Sequence, residues 1–214
     1  MAKVESFTFN PFQENTYLVY DETGECLIFD PGCSNKQEEA KLLTFIEEKK
    51  LRPVRLINTH CHIDHILGNA FIANEFDLGL EIHQEELQVL NQGPVVADMY
   101  GIGYTNHSPQ PSRFIETGEL IEFGQTKLRA LFTPGHSPAS LSFYCSEDNF
   151  LIAGDVLFYQ SIGRTDLPGG DFDTLADSIR TQIYSLPDAV IVYPGHGPKT
   201  RVGYEKMNNP FVKP

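Results

Sequence analysis

Three of the chain's seven histidines fall within six residues, in the run His60-Cys61-His62-Ile63-Asp64-His65. An apolar stretch, Val54–Ile57, leads into it, so the cluster stands where a buried strand ends and a helix begins. On an extended chain alternate side chains share a face, which points His60 and His62 one way and turns Cys61 the other. Asp64 and His65 turn aside as the helix starts. One coordination sphere does not easily take all four donors, whereas two adjacent ions do. Imidazoles and carboxylates suit zinc, and also non-haem iron and manganese. Ionisable groups rarely crowd in this way without a partner. The isolated His83 and His107 read instead as ordinary core or surface residues.

Two more histidines share a local setting. Thr133-Pro134-Gly135-His136 follows the predicted strand Lys127–Phe132, and Tyr193-Pro194-Gly195-His196 follows Val190–Val192. A Pro-Gly turn presents the next side chain from the end of a strand. Gly154-Asp155 follows the apolar strand Phe150–Ala153. Four strands therefore end in a ligand-type residue, and a single sheet edge converging on one site is expected.

The remaining pattern sets the fold class. Thr16–Tyr20 and Glu25–Phe29 flank Asp21–Gly24, a hairpin signal, and Asp30-Pro31-Gly32 ends the second strand sharply. Lys36–Lys50 is amphipathic and closes on basic residues. A helix is predicted over His65–Phe76, a strand over Gly79–His83, and strands near Leu120–Phe123 and Ser140–Cys145. Asn91–Gly118 holds four Gly and three Pro without a clear period, so it reads as a long functional loop. Asp171 is placed to cap a helix over Phe172–Ser185. Hairpins early and late, with single helices between them, fit two mixed sheets with helices outside rather than a doubly wound parallel sheet. No linker or repeat divides the 214 residues, so one domain over 1–214 is expected.

Composition removes other classes. With 16 Lys+Arg against 29 Asp+Glu the net charge is −13. No basic block exists to meet phosphates or an anionic membrane, so neither nucleic acid nor membrane is an expected partner. The start lacks a secretory pattern, and the four cysteines form no C-x-x-C pair. They read as reduced thiols of a cytoplasmic protein.

The ordered set His60-x-His62-x-Asp64-His65, His136, Asp155 and His196 resembles the metallo-β-lactamase superfamily. Gly163-Arg164-Thr165-Asp166 and the tail Gly203-Tyr204-Glu205 with Asn209-Pro210-Phe211 resemble, more closely, its short glyoxalase II-like hydrolases. The resemblance implies an α+β fold, a four-layer αββα sandwich with the site at the edge of the two sheets. It implies that His60, His62 and His136 hold a first divalent ion. Asp64, His65 and His196 hold a second, and Asp155 bridges them. Zinc is the usual metal, with iron or manganese accepted. With few residues after His196, the helical extension by which larger glyoxalase II enzymes hold glutathione is not expected here.

Two neighbouring dications sharing a water lower its pKa toward neutrality, so a bridging hydroxide is the expected nucleophile. No Gly-x-Ser-x-Gly elbow offers a serine instead. Asp64 and Asp155 are the expected catalytic carboxylates, and a small acyl thioester such as S-lactoylglutathione is the expected substrate. Two rivals share the resemblance. A persulfide dioxygenase would keep one iron on His60, His136 and Asp155, and a lactone or β-lactam hydrolase would use the same dinuclear site. Arg164 and Asp166 form either a buried ion pair behind the loop after Asp155 or a plain turn salt bridge.

Overall fold

Gly24, at φ +82°, closes the hairpin turn that the sequence places at Asp21–Gly24, and its N–H donates to the Asp21 carbonyl at 3.2 Å. Around this hairpin the first of two sheets is built. The computed structural model describes residues 1–214, which divide into two compact units. One comprises Met1–Ile115 with Glu122–Thr126, the other Glu116–Ile121 with Lys127–Pro214.

In the first unit the strands are β1 (Lys3–Phe9), β2 (Glu14–Tyr20), β3 (Glu25–Phe29), β4 (Arg52–Ile57), β5 (Leu80–Ile82) and β6 (Pro111–Phe114), in that spatial order. The first three are antiparallel and the rest join in parallel. Parallel neighbours need crossover connections, and the helices supply them. The first is α1 (Lys36–Lys49), capped by Asn35, whose side chain accepts from the N–H of Gln37 and Glu38. It ends where Lys50 turns left-handed, and it buries Leu42 and Ile46 against Phe7, Leu18, Ile28 and Leu56.

The helix expected over His65–Phe76 starts earlier and is broken in two. The four-residue α2 (Ile63–Ile66) is followed by α3 (Asn69–Phe76). Between them Gly68 donates to the Pro31 carbonyl at 2.7 Å, and a Cβ there would stand 2.4 Å from Cys33 Sγ. The long loop expected over 91–118 is also different. Its first part completes α4 (Leu87–Tyr100), and β6 occupies 111–114. Gly93 and Pro94 argue locally against a helix, but Leu90, Gly93 and Ala97 recur at helical spacing on one buried face. Packing overrides propensity there.

The second sheet comprises β7 (Leu120–Phe123), β8 (Thr126–Phe132), β9 (Leu141–Cys145), β10 (Phe150–Gly154), β13 (Ile191–Pro194) and β14 (Thr200–Arg201), ordered β14-β13-β10-β9-β8-β7, and apart from Glu122–Thr126 it belongs to the second unit. A separate small hairpin pairs β11 (Leu157–Phe158) with β12 (Ser161–Ile162). The turn between β7 and β8 belongs to the first unit, where Asp21 accepts from Gln125 N–H and Thr126 Oγ1. Asp171 caps α5 (Phe172–Ser178) as expected, after which the chain widens into a π-turn over Ile179–Ile183. These helical turns bury Leu175, Ile179 and Ile183 against Leu151, Ala153 and Val192 of the sheet. The closing helix is α6 (Val202–Asn208). No helix of the chain is long and apolar enough to cross a membrane.

Candidate metal centre

The strand ends place the predicted donors in two groups, one in each unit. His60, His62, Asp64 and His65 follow β4 in the first sheet. His136, Asp155 and His196 follow β8, β10 and β13 in the second. The single sheet edge expected from the sequence is thus corrected: three of the four strands share an edge and the fourth lies in the other sheet. Within the second sheet the sharing is a matter of direction. β9 is antiparallel to both β8 and β10, and β13 is parallel to β10, so all three donor strands run the same way.

In the first unit His60 and His65 are fully buried, and His62 and Asp64 are partly so. The ring centroids of His60 and His62 lie 4.8 Å apart, and those of His60 and His65 4.1 Å. Asp30 governs their orientation. Its Oδ2 stands 3.2 Å from His65 Nδ1 and accepts the Thr59 hydroxyl at 2.6 Å, while its Oδ1 accepts the Thr59 N–H. Because the Thr59 hydroxyl spends its proton on Asp30, its oxygen accepts from His60 Nδ1 at 3.1 Å. His60 therefore carries its proton on Nδ1 and presents Nε2 as the ligating lone pair, while Asp30 Oδ2 stands beside His65 Nδ1. The His65 Nε2 to Asp64 Oδ2 distance is 3.6 Å.

The backbone here is held as firmly. Asn58 Nδ2 donates to the His65 carbonyl, and Asn10 Nδ2 to the carbonyls of Gly32 and Asp64, all at 2.9 Å. Gly32 must be glycine: a Cβ would stand 2.0 Å from Glu14 Oε2 and 2.7 Å from the Asp64 carbonyl. Burial pushes the Glu14 carboxyl well above the usual carboxylate range, against the pull of His65. Burial likewise pushes the Cys61 thiol up, with Glu86 and Asp30 adding to it. Cys61 is thus a buried thiol, as its place between the two histidines implies. Cys26 is pushed up to about 12 by burial alone, and no cysteine is in a disulfide.

In the second unit one oxygen organises the group. Asp155 Oδ2 lies 3.5 Å from His136 Nε2 and 3.4 Å from His196 Nε2. His136 Nδ1 donates to the Arg164 carbonyl at 2.7 Å, so Nε2 is again the ligating nitrogen. Gly163 makes that approach possible, since a Cβ would stand 2.0 Å from the Asp155 carbonyl and 3.1 Å from the His136 ring. Arg164 and Asp166 pair through two bonds of 2.6 and 2.7 Å, but both are exposed, so the turn salt bridge is the form observed. Arg164 holds the Asp166 carboxyl down at about 2.

The donor set fits a metal ion. Separations of 3.4–3.6 Å between Nε2 and carboxylate oxygen exceed a hydrogen bond. They match the edge of a tetrahedron with bonds of about 2.1 Å, which is roughly 3.4 Å. Fixed tautomers at His60 and His136 add to the fit, because ligating histidines are commonly oriented through the other nitrogen.

Sequence reasoning singled out these seven candidate donors but missed the groups that contact them. Asp30 was legible only as the end of a strand, although an Asp at a strand end beside a donor cluster is itself a signal. Thr59 and Glu86 gave none, and the Arg164 contact is made by a backbone atom.

Comparison with known proteins places this arrangement. The profile of the metallo-beta-lactamase superfamily matches residues 9–196. The chain is 38% identical over 202 residues to the probable metallo-hydrolase YqgX of Bacillus subtilis, covering 94% of this chain and 93% of that one. It is 34% identical over 212 residues to hydroxyacylglutathione hydrolase GloC of Haemophilus influenzae, covering 98% and 97%. The crystal structure of TTHA1623 in a di-iron-bound form superposes with a TM-score of 0.87 at 36% identity, over 98% of this chain and 100% of that one. The chain belongs to the metallo-β-lactamase superfamily and has its fold, two mixed sheets with flanking helices.

Proposed function

We propose that this protein is a thioester hydrolase that works with two divalent ions. His60, His62 and His136 would hold the first, and Asp64, His65 and His196 the second, with Asp155 shared. The observation that carries the reading is the position of Asp155 Oδ2, within 3.4–3.5 Å of one nitrogen from each proposed set. A carboxylate placed between two imidazoles in this way suits a bridging ligand. Zinc is the first expectation, and iron is the alternative that the di-iron TTHA1623 structure supports.

Bound there, the ions supply a water acidified toward neutrality and a Lewis acid for the carbonyl oxygen of the substrate. The chain's own residues hold the geometry. Asp155 would fix the spacing of the two sets, and Asp64, beside His65, would orient the attacking water. Asp30 and the Arg164 carbonyl keep the imidazoles in the ligating tautomer. A thiolate leaves without a strong acid, so a thioester suits a site built from donors to cations. Similarity to GloC supports acyl-glutathione thioesters as the substrate class. Four buried thiols outside any disulfide support a cytoplasmic setting.

The test is metal analysis of protein purified without added metal, followed by a thioester screen led by S-lactoylglutathione. Two ions per chain with thioester turnover are expected. One iron per chain, with oxygen uptake on glutathione persulfide, would replace this reading with the dioxygenase.

A further inference from the structure

Glu86 is fully buried, and the ligand set makes no use of it. It ends a single 3₁₀ turn, Gln84–Glu86, which His83 caps through Nδ1, and α4 begins at the next residue. From there its Oε2 accepts the backbone N–H of Cys61 at 2.9 Å, across 25 positions of sequence. Cys61 stands between His60 and His62, in a segment outside any strand, so no neighbouring strand supplies an acceptor for its N–H. A buried backbone N–H must be paired, and a buried carboxylate must be hydrogen-bonded. Each meets the other's requirement through a hydrogen bond of ordinary length.

The element carrying Glu86 is itself seated on the metal-bearing segment. A Cβ on Gly93 of α4 would stand 3.0 Å from Ile66 Cδ1 and 3.9 Å from Ile63 Cδ1, both in α2. The helix that follows Glu86 thus lies close on the helix that follows His62. Glu86 is fixed from the side of α4 and bonds back to the residue from which both imidazoles diverge.

We infer that Glu86 is a positioning residue for metal binding: by accepting the Cys61 N–H it fixes the backbone between His60 and His62, and with it the setting of both imidazoles toward one ion. The inference rests on the reading of His60 and His62 as ligands. It assigns Glu86 no contact with metal or substrate.

The experiment titrates zinc into metal-free protein against a chromophoric chelator, with the visible spectrum of the cobalt-substituted protein as a second readout. Glu86→Ala should weaken the metal by roughly 10–100-fold, the usual effect of removing a group that supports a ligand, and should change the cobalt spectrum. Glu86→Gln keeps an oxygen able to accept the N–H and should stay within about three-fold of wild type on the same scale. Wild-type affinity in Glu86→Ala overturns the inference. So does Glu86→Gln as weak as Glu86→Ala, since charge rather than an acceptor for the N–H would then be the cause. If Glu86→Ala does not fold, Glu86→Asp withdraws the oxygen while keeping the charge and takes its place in the contrast. His62→Ala in the same titration checks the foundation, and unchanged binding there sinks the ligand reading and this inference with it. No substrate enters the measurement. A protein that shows the contrast but hydrolyses no thioester therefore leaves Glu86 assigned and refutes only the proposed activity.

Discussion

The two groups of candidate donors are built in opposite ways. His60, His62, Asp64 and His65 are adjacent in sequence, and the parts that orient them come from elsewhere: Asp30 from the end of β3, Glu86 from the start of α4. His136, Asp155 and His196 are far apart in sequence and are gathered by strands running in one direction, yet His136 is oriented by a backbone carbonyl of the chain that follows Asp155. A compact ligand motif leaves its orientation to distant side chains. A dispersed one lets sheet register do the gathering and can use main chain, which is not editable by substitution. The sharpest way to break this comparison is to remove the one carboxylate read as belonging to both ions. Asp155→Ala should lose metal and at least about 100-fold in hydrolysis, above the range for a mere supporting residue. His62→Ala should lose metal chiefly from the first set. Metal analysis with turnover decides, and full metal with full activity in Asp155→Ala would end the bridging assignment.

Asp30 and Gly163 test the difference in orienting device. Asp30→Asn keeps an acceptor for the Thr59 N–H but puts an amide where His65 Nδ1 and the Thr59 hydroxyl both need an acceptor. Metal affinity should fall by roughly 10–100-fold with the fold retained. The Arg164 carbonyl cannot be removed in that way. Gly163→Ala displaces it instead, because the new Cβ would stand 2.0 Å from the Asp155 carbonyl. Overpacking of this kind costs about 1–3 kcal/mol, so the thermal midpoint should drop together with metal binding. Asp30→Asn should separate the two readouts and Gly163→Ala should couple them. The same coupling in both variants would erase the distinction between the groups.

This asymmetry also explains what could be read from the residues. His60 to His65 was legible because four donors in six positions have few other uses. His136, Asp155 and His196 were legible because each follows an apolar run and a tight turn, and turn chemistry is local. Their assignment to two sheets rather than one edge depends on strand pairing across the chain, which no local pattern carries. The stretch beginning at Asn91 failed for a related reason. Gly93 and Pro94 are breakers by propensity, while the face made by Leu90, Gly93 and Ala97 has meaning only against Ile63 and Ile66. Glu86 was silent because its partner is a backbone N–H, and β11 and β12 because two-residue strands have no period.

The smallest expected effect lies outside both groups and serves as their control. Asp21 is buried, which would raise its pKa, but bonds from Thr23, from the Gln125 N–H and from Thr126 outweigh that and lower it. A lowered folded value means the unfolded chain binds the proton more readily. Asp21 therefore contributes stability above the ordinary aspartate range, near about 3.9, and loses it as acid carries the pH down through the folded value. Asp21→Asn should cost about 1 kcal/mol at neutral pH, since the amide keeps one oxygen to accept some of these hydrogen bonds. In urea melts the gap to wild type should narrow steadily as the pH falls below 4 or so. Metal affinity should not change, since Asp21 fixes the turn between β7 and β8 and touches no donor. A loss of metal in this variant would mean that general loosening, rather than the named orienting bonds, explains the effects at Asp30 and Gly163.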